Sequence, residues 1–567
     1  MNSPLKSFRN LDVAILCTFA ALITFQPFFL HGEVIMMETG IHLPALSALF
    51  HGAVPYRDFF YLRGPLELYV PAALMMLFGK NMALLPVFYY AGTILTLFVC
   101  VLVARNLYRV RFVLYLAIVV LIARTFPRVS YNYWGGMRYA LGLLSVFFAI
   151  IYFKKPRARW IFLAGVLSAL SFLTTIEAGL SASLAIIAAF IFAMAFKVLE
   201  RKELMRPFGC YVLGGLTVIV PVAVYFYLSG ALVPFLETSW AVATRLTKTF
   251  IDAPGNHPES PGQFFAALVP SSPYFKFMTP VYFYAAFLIY LFWRIRRKAF
   301  SDDIVGLVCL AVYGIILYIA AFRKIEGHHF EMALQPEKLL FFYLAQEIVL
   351  HLKAWKDTTQ RSSVEIFGMT GSIRAAIAYC FIFVFIASSV GYSVARYNSR
   401  FPAFQLMRNF ISGKHKDLSP LAGQEKAVLD LDRAKGLVVP RWQEEEMRGV
   451  TDFLLRHSRP GERVFTFPEL GDYNFLADRP FIGKFPIATF SWIQPSWSEE
   501  LIKQLQDNSP RYIVMTKLGH RTFPEVWYFR NPENKEYFQR VTSYILAHYK
   551  AVQTFDSVEI YQLNKHN

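Results

Sequence analysis

Glu38 and Asp58, Arg57 and Arg63, and His42 and His51 all lie in the gap between the first two long apolar runs of this chain. Charged and titratable groups packed against a bilayer are costly, and they gather where a membrane protein does its chemistry. A plain connector between two helices needs none of them. Glu38 is followed by the apolar segment 41–50, whose spacing reads as an amphipathic helix lying in the interface. A carboxylate held there is partly dehydrated, which raises its basicity. Such a group can act as general base toward a hydroxyl. Asp58 is flanked by Arg57 and by Tyr56, Phe59, Phe60 and Tyr61. It either assists at the same site or pairs with an arginine and shapes the loop.

A second cluster, Arg323-Lys324-Ile325-Glu326-Gly327-His328-His329, lies between two later apolar runs. Arginine and lysine offer fixed charge and forked hydrogen bonds that suit a phosphate. A neighbouring histidine can donate a proton to it. Arg138 follows Tyr131-Asn132-Tyr133-Trp134 at the start of another run, where it can grip a lipid phosphate without entering the core. Glu177 sits at the bend of an apolar hairpin. The plainer readings are a solvated loop acid at Glu38, headgroup contacts for 323–331 and an interfacial aromatic belt at 131–134. Neither His42 with His51 nor His328 with His329 has metal-ligand spacing, so no metal site is assigned and a divalent ion has no support in the sequence.

These residues have to be positioned by membrane helices. The chain has 567 residues, 56% hydrophobic and 17% aromatic, with a net charge of +18 and a mean hydropathy of +0.40. The charge falls in clusters between apolar runs: Arg105/Arg109/Arg111, Lys154/Lys155/Arg157/Arg159, Lys197/Arg201/Lys202/Arg206 and Arg294/Arg296/Arg297/Lys298. That is the pattern of cytoplasmic loops, and it excludes a nucleic-acid role, which has no motif either. Spans are expected near 11–30, 82–104, 111–126, 138–153, 159–176, 178–197, 208–229, 279–297, 303–322, 336–352 and 372–394, about eleven in all. The first reads as a retained anchor. Segment 64–79 is short and carries two prolines, so it reads as an interfacial or re-entrant helix. With the N-terminus inside, every basic cluster lands inside, while segment 31–81 and the tail lie outside. Cys17, Cys100, Cys210, Cys309 and Cys380 all fall in expected spans and read as packing residues.

The tail turns polar. Glu444 to His457 reads as an amphipathic helix, Arg463 to Phe467, Arg511 to Met515 and Val558 to Leu563 as strands, and Ser498 to Gln506 as a helix. The fold class is thus a polytopic α-helical membrane domain, 1–395, whose first outer loop is 31–81, and a C-terminal extracytoplasmic α/β domain, 396–567. The tail has no phosphate loop and no nucleophile elbow. It reads as a cap or an acceptor-docking surface.

The first loop resembles that of the GT-C superfamily of membrane glycosyltransferases, most closely the bacterial protein mannosyltransferase and aminoarabinose transferase group. An acid after the first span, Glu38, is followed by Gly52, Pro55-Tyr56-Arg57-Asp58-Phe59-Phe60, Gly64 and Pro65. Arg323, Glu326 and His329 match a second outer motif, and Phe475 to Pro480 a turn common in such tails. The resemblance implies transfer of a sugar from a polyprenyl-phosphate donor on the non-cytoplasmic face, with inversion, in the bacterial inner membrane. The acceptor is a hydroxyl of a glycan, lipid or protein. Glu38 takes the acid's place, with Asp58 beside it. Arg323, Lys324, His328, His329 and, more weakly, Arg138 are implied on the donor phosphate; Tyr56, Arg57, Arg63 and Glu177 shape the loop or meet the acceptor. No cofactor is implied beyond the lipid-linked donor. Glu38-Thr39 departs from the usual Asp, often followed by Glu. The alternatives are a transporter or flippase of a lipid-linked or small anionic solute, and a non-enzymatic scaffold.

Overall fold

The computed structural model describes residues 12–18, 28–125, 137–198, 201–245, 260–267, 272, 275–297, 303–322, 333–359, 402–413, 417, 419–520 and 532–564. Arg323, Lys324, His328 and His329 lie outside the described residues, as do Arg128 and the expected span 372–394. Two short helices, α1 (Met36–Gly40) and α2 (Leu43–Phe50), lead to α3 (Leu66–Phe78). Then come α4 (Leu84–Leu107), α5 (Arg111–Thr125), α6 (Met137–Lys154), α7 (Ala158–Phe172), α8 (Ile176–Ala195) and α9 (Arg201–Leu228). They are followed by α10 (Leu232–Thr244), α11 (Phe275–Arg296), α12 (Ile304–Phe322), α13 (Gln335–Thr359) and α14 (Pro402–Ser412).

Among the described residues, six helices are long and apolar enough to cross a membrane: Leu84–Leu107, Met137–Lys154, Ile176–Ala195, Met205–Leu228, Met278–Arg296 and Ile304–Ala321. A span needs about 20 residues at about 1.5 Å each, so α5 and α7 are short for one, and the count of eleven is not reached here. Helix α3 has 13 residues, too few to cross. The membrane helices pack through small residues: a Cβ at Gly165 of α7 would run into the Tyr211 carbonyl, and one at Gly214 of α9 into the Phe162 carbonyl. Between α6 and α7, Ser145 Oγ lies 2.8 Å from Ser168 Oγ.

The basic turns gather at one end. Lys154 Nζ donates to the Asn106 carbonyl, and the Val110 amide donates to Gln346 Oε1 at 2.9 Å, beside the Arg109 amide. The starts of α6 and α8 and the ends of α9 and α12 are therefore at the other end.

In the tail, β1 (Lys426–Val428) and β2 (Val438–Pro440) form an antiparallel pair before α15 (Arg441–His457). A mixed four-stranded sheet follows, built from β3 (Phe465–Phe467), β4 (Tyr512–Thr516), β5 (Tyr549–Thr554) and β6 (Val558–Leu563) in the order β3-β4-β6-β5. Helices α16 (Asp472–Leu476), α17 (Pro495–Asn508) and α18 (Pro532–His548) connect it. All five side chains of β4 are buried, as a continuous apolar run requires when both faces are covered. Helix α15 buries Met447, Val450, Thr451 and Leu454 on one stripe.

The first loop is built into this sheet domain. Leu43, Leu46, Phe59, Tyr61 and Leu68 share one apolar core with Leu431, Met447, Phe475, Ile487 and Phe490. Gln443 clamps Val34, accepting from its amide at 2.8 Å and donating to its carbonyl at 2.9 Å. The Phe60 amide donates to the Lys484 carbonyl at 2.6 Å, and the Met82 amide to the Arg433 carbonyl at 2.8 Å. Segment 41–50 therefore differs from its expected place on the membrane surface. Leu43 to Ser47 are all buried and α2 packs against α16, because its apolar residues wrap the whole helix and leave no polar face for water.

Candidate functional site

A cavity of about 180 Å³ opens where the first loop meets the starts of α6 and α8, helix α10, the end of α12 and Phe490 of the sheet domain. Its wall holds Glu38, Tyr56, Tyr61, Arg63, Arg138 and Glu177. Helix α10 contributes Phe235, Thr238, Ser239 and Val242 at helical spacing, while Val233, Leu236 and Trp240 on its other side are exposed.

Glu38 lies in the first turn of α1 and is 5% exposed. The neighbouring hydroxyl of Thr39 donates to Asp472 Oδ2 of α16, so the sheet domain pins α1 from behind. Asp472 is fully buried, its Oδ1 has no hydrogen-bond partner, and burial pushes its carboxyl up to about 8 against the opposing pull of Thr39.

Arg63 is placed by its neighbours. Tyr56 adopts a left-handed backbone, φ +71°, and its hydroxyl donates to the Arg63 carbonyl at 2.7 Å. The Tyr56 ring is held edge-on by Phe226 and Phe235. The Gly64 amide donates to the Thr174 carbonyl at 2.8 Å and the Leu66 amide to the Leu173 carbonyl at 2.9 Å. A Cβ at Gly64 would run into that Leu173 carbonyl, so only glycine lets the loop reach the α7–α8 turn. The buried Nε of Arg63 has no hydrogen-bond partner. Burial opposes its charge, but Tyr89, Glu67, Glu38 and Glu177 outweigh burial and hold its pKa above the ordinary arginine value. Arg138 is buried at the start of α6, and Glu177 lies in the first turn of α8.

Asp58 and Arg57 are not in the cavity wall. Asp58 accepts from the Val54 amide at 2.7 Å and from Arg57 Nε and Nη2 at 2.8 and 2.7 Å. Those bonds, Arg57 first, hold its carboxyl below the usual carboxylate range. Arg57 Nη1 also donates to the Ser229 carbonyl at 2.7 Å, tying the loop to the α9–α10 turn. The Arg323 cluster, being outside the described residues, has no geometry here.

Three residues that the sequence reading did not assign stand behind the wall. His42 is buried between two tyrosines, its Nδ1 2.8 Å from Tyr61 Oη and its Nε2 2.8 Å from Tyr89 Oη. Tyr89 donates to Glu67 Oε2 at 2.8 Å. Glu67 is 1% exposed and its Oε1 has no partner. The signal was in the sequence: Glu67 is the only charged residue of the apolar helix α3. Among the described residues no three His, Cys, Asp or Glu side chains could hold a metal ion.

No protein-family model and no curated protein matches the sequence. Solved structures do match it. Over 98% of this chain and 98% of the other, it is similar to the crystal structure of ArnT from Cupriavidus metallidurans bound to undecaprenyl phosphate, with a TM-score of 0.51 and 11% identity. The apo form of the same protein matches with a TM-score of 0.47 and 11% identity over 97% and 96% of the two chains. At this identity the likeness speaks for the fold: the chain has an ArnT-like fold, a polytopic helical membrane body carrying a small C-terminal sheet domain.

Proposed function

We propose that this chain is a membrane glycosyltransferase that moves a sugar from a polyprenyl-phosphate-linked donor to an acceptor hydroxyl, with inversion, on the extracytoplasmic face. The carrying observation is a cavity whose wall gathers Glu38, Arg63, Arg138 and Glu177. A buried carboxylate beside two guanidinium groups suits an in-line displacement at a sugar carbon bearing a phosphate. Glu38 takes the proton of the acceptor hydroxyl, which attacks C1 of the sugar. The C1–O bond breaks, its electron pair leaves with the phosphate, and Arg63 and Arg138 stabilise that charge. Arg323, Lys324, His328 and His329 belong to the same proposal as further phosphate contacts. Asp58 and Arg57 act on loop shape, not on the reacting atoms.

The ArnT likeness supports the lipid carrier, since that structure was solved with undecaprenyl phosphate. The orientation is supported by the basic turns lying at the end opposite the cavity, as the positive-inside rule asks when the cavity faces outward. The test is Glu38→Gln in purified protein, with undecaprenyl-phosphate-linked pentoses and hexoses as donors. Transfer falls at least about a thousandfold while donor binding is kept; wild-type turnover in the variant would overturn the assignment.

A further inference from the structure

Each hydroxyl in the chain Tyr61, His42, Tyr89, Glu67 has a single proton, and this fixes the direction of the bonds. Tyr89 gives its proton to Glu67 Oε2, so at the Tyr89 oxygen it is His42 Nε2–H that donates. His42 Nδ1 then carries no proton in a neutral ring, and it accepts the proton of Tyr61. The ring is kept neutral: burial first, then the charges of Arg63 and Arg138, hold His42 well below the usual histidine value. The groups facing His42 are Tyr61 from the first loop, Tyr89 from α4, and the fields of Arg63 and Arg138. Every proton therefore points away from the cavity and toward Glu67, and the Tyr61 oxygen at the cavity end keeps only acceptor capacity.

We propose that Tyr61, His42, Tyr89 and Glu67 form a proton path that drains Glu38 during the reaction and stores its proton on Glu67. This rests on the glycosyl-transfer reading above. The proton that Glu38 takes from the attacking hydroxyl passes to Tyr61, directly or through a water in the cavity. Tyr61 gives its own proton to His42 Nδ1, His42 gives its Nε2 proton to Tyr89, and Tyr89 gives its proton to Glu67. One proton leaves Glu38 and one arrives on Glu67, with no net charge left on the three groups between. Glu38 is then a carboxylate again while the product phosphate is still in place. The path resets by the reverse hops, because a phosphate monoester is a stronger base than the diester donor it came from.

The test uses the full-length protein and has two arms. Nitrogen-15 NMR of His42, assigned by comparison with His42→Gln, reports the tautomer without any turnover. A neutral ring protonated on Nε2 is expected from pH 5 to 8; an imidazolium or an Nδ1–H tautomer at pH 7 overturns the proton order. In the second arm, Tyr89→Phe removes one link and keeps the ring. With the undecaprenyl-phosphate-linked sugar panel, kcat falls roughly 10- to 100-fold with donor KM within about twofold. The rate of the variant then climbs with pH where the wild type is flat, because hydroxide replaces the broken path. A wild-type kcat and a flat profile overturn the proposal while Glu38→Gln still tests the transfer itself. If the wild type turns over no donor of the panel, the transfer reading fails and takes the storage role with it, whatever the tautomer.

Discussion

Tyr56 holds a backbone conformation that costs a non-glycine residue on the order of 1–3 kcal/mol, and its surroundings enforce it. The ring is wedged between Phe226 and Phe235, and its hydroxyl fixes the Arg63 carbonyl. The effect reaches the cavity through Arg63, whose guanidinium is aimed by the backbone that Tyr56 and Gly64 hold. Tyr56→Phe keeps the ring and removes one hydrogen bond, so stability drops by about 0.5–1.5 kcal/mol in thermal unfolding. Donor KM rises several-fold with less change in kcat, because a looser Arg63 weakens phosphate binding in ground and transition states alike. An unchanged donor KM would show that Arg63 does not depend on Tyr56. Arg57 and Asp58, the more conspicuous charges of the loop, do their work at the α9–α10 turn.

Helices α7 and α9 cross where Gly165 and Gly214 let backbone meet backbone. Without a hydrophobic drive between helices in lipid, that close fit is what joins them. Gly165→Leu forces the helices apart and lowers the unfolding temperature in detergent by several degrees, while Leu at the open Gly209 of α9, where a Cβ meets nothing, does not; equal effects would argue against a packed crossing. Much at this scale was legible beforehand. The α15 stripe, strands β3, β4 and β6, helix α17 and the non-crossing α3 all follow from periodicity and length. The first loop was recognisable from Glu38 and the Pro55 to Phe60 turn. The strand pair β1–β2 was hidden by its three-residue length, and β5 by side chains that are mostly exposed and polar. The partnership of His42, Tyr89 and Glu67 was hidden because it depends on three separate segments meeting, which no local pattern encodes. Asp472 was unreadable for the same reason, as its burial comes from α1.

At the scale of the whole molecule, Asp472 makes the seam between first loop and sheet domain sensitive to pH. Its carboxyl sits at about 8 in the folded protein against about 3.9 when unfolded. Between those values the folded state binds a proton that the unfolded state lacks, so stability falls as pH rises from about 4 to about 8 and levels off above. The shift corresponds to a loss on the order of 5 kcal/mol. Asp472→Asn keeps an acceptor for Thr39 and abolishes this slope, so wild-type and variant unfolding temperatures converge at pH 5 and separate by pH 9, the variant then being the more stable. Parallel curves would mean that Asp472 is not buried as a neutral acid. The seam also has a consequence for how the protein is made. Core residues of 34–89 are synthesised first, yet those that cover them, from Leu429 onward, emerge more than three hundred residues later. At about 5–20 residues per second that is a wait of roughly twenty to seventy seconds. Throughout it, Phe59 lacks Phe481 and Phe60 lacks Phe485, Phe490 and Trp497, the rings that cover them, and a ribosome that stalls before the sheet leaves an assembled membrane body with an unfinished cavity and a sticky surface. Quality control of this protein is therefore a race between translation of its last third and capture of its first loop.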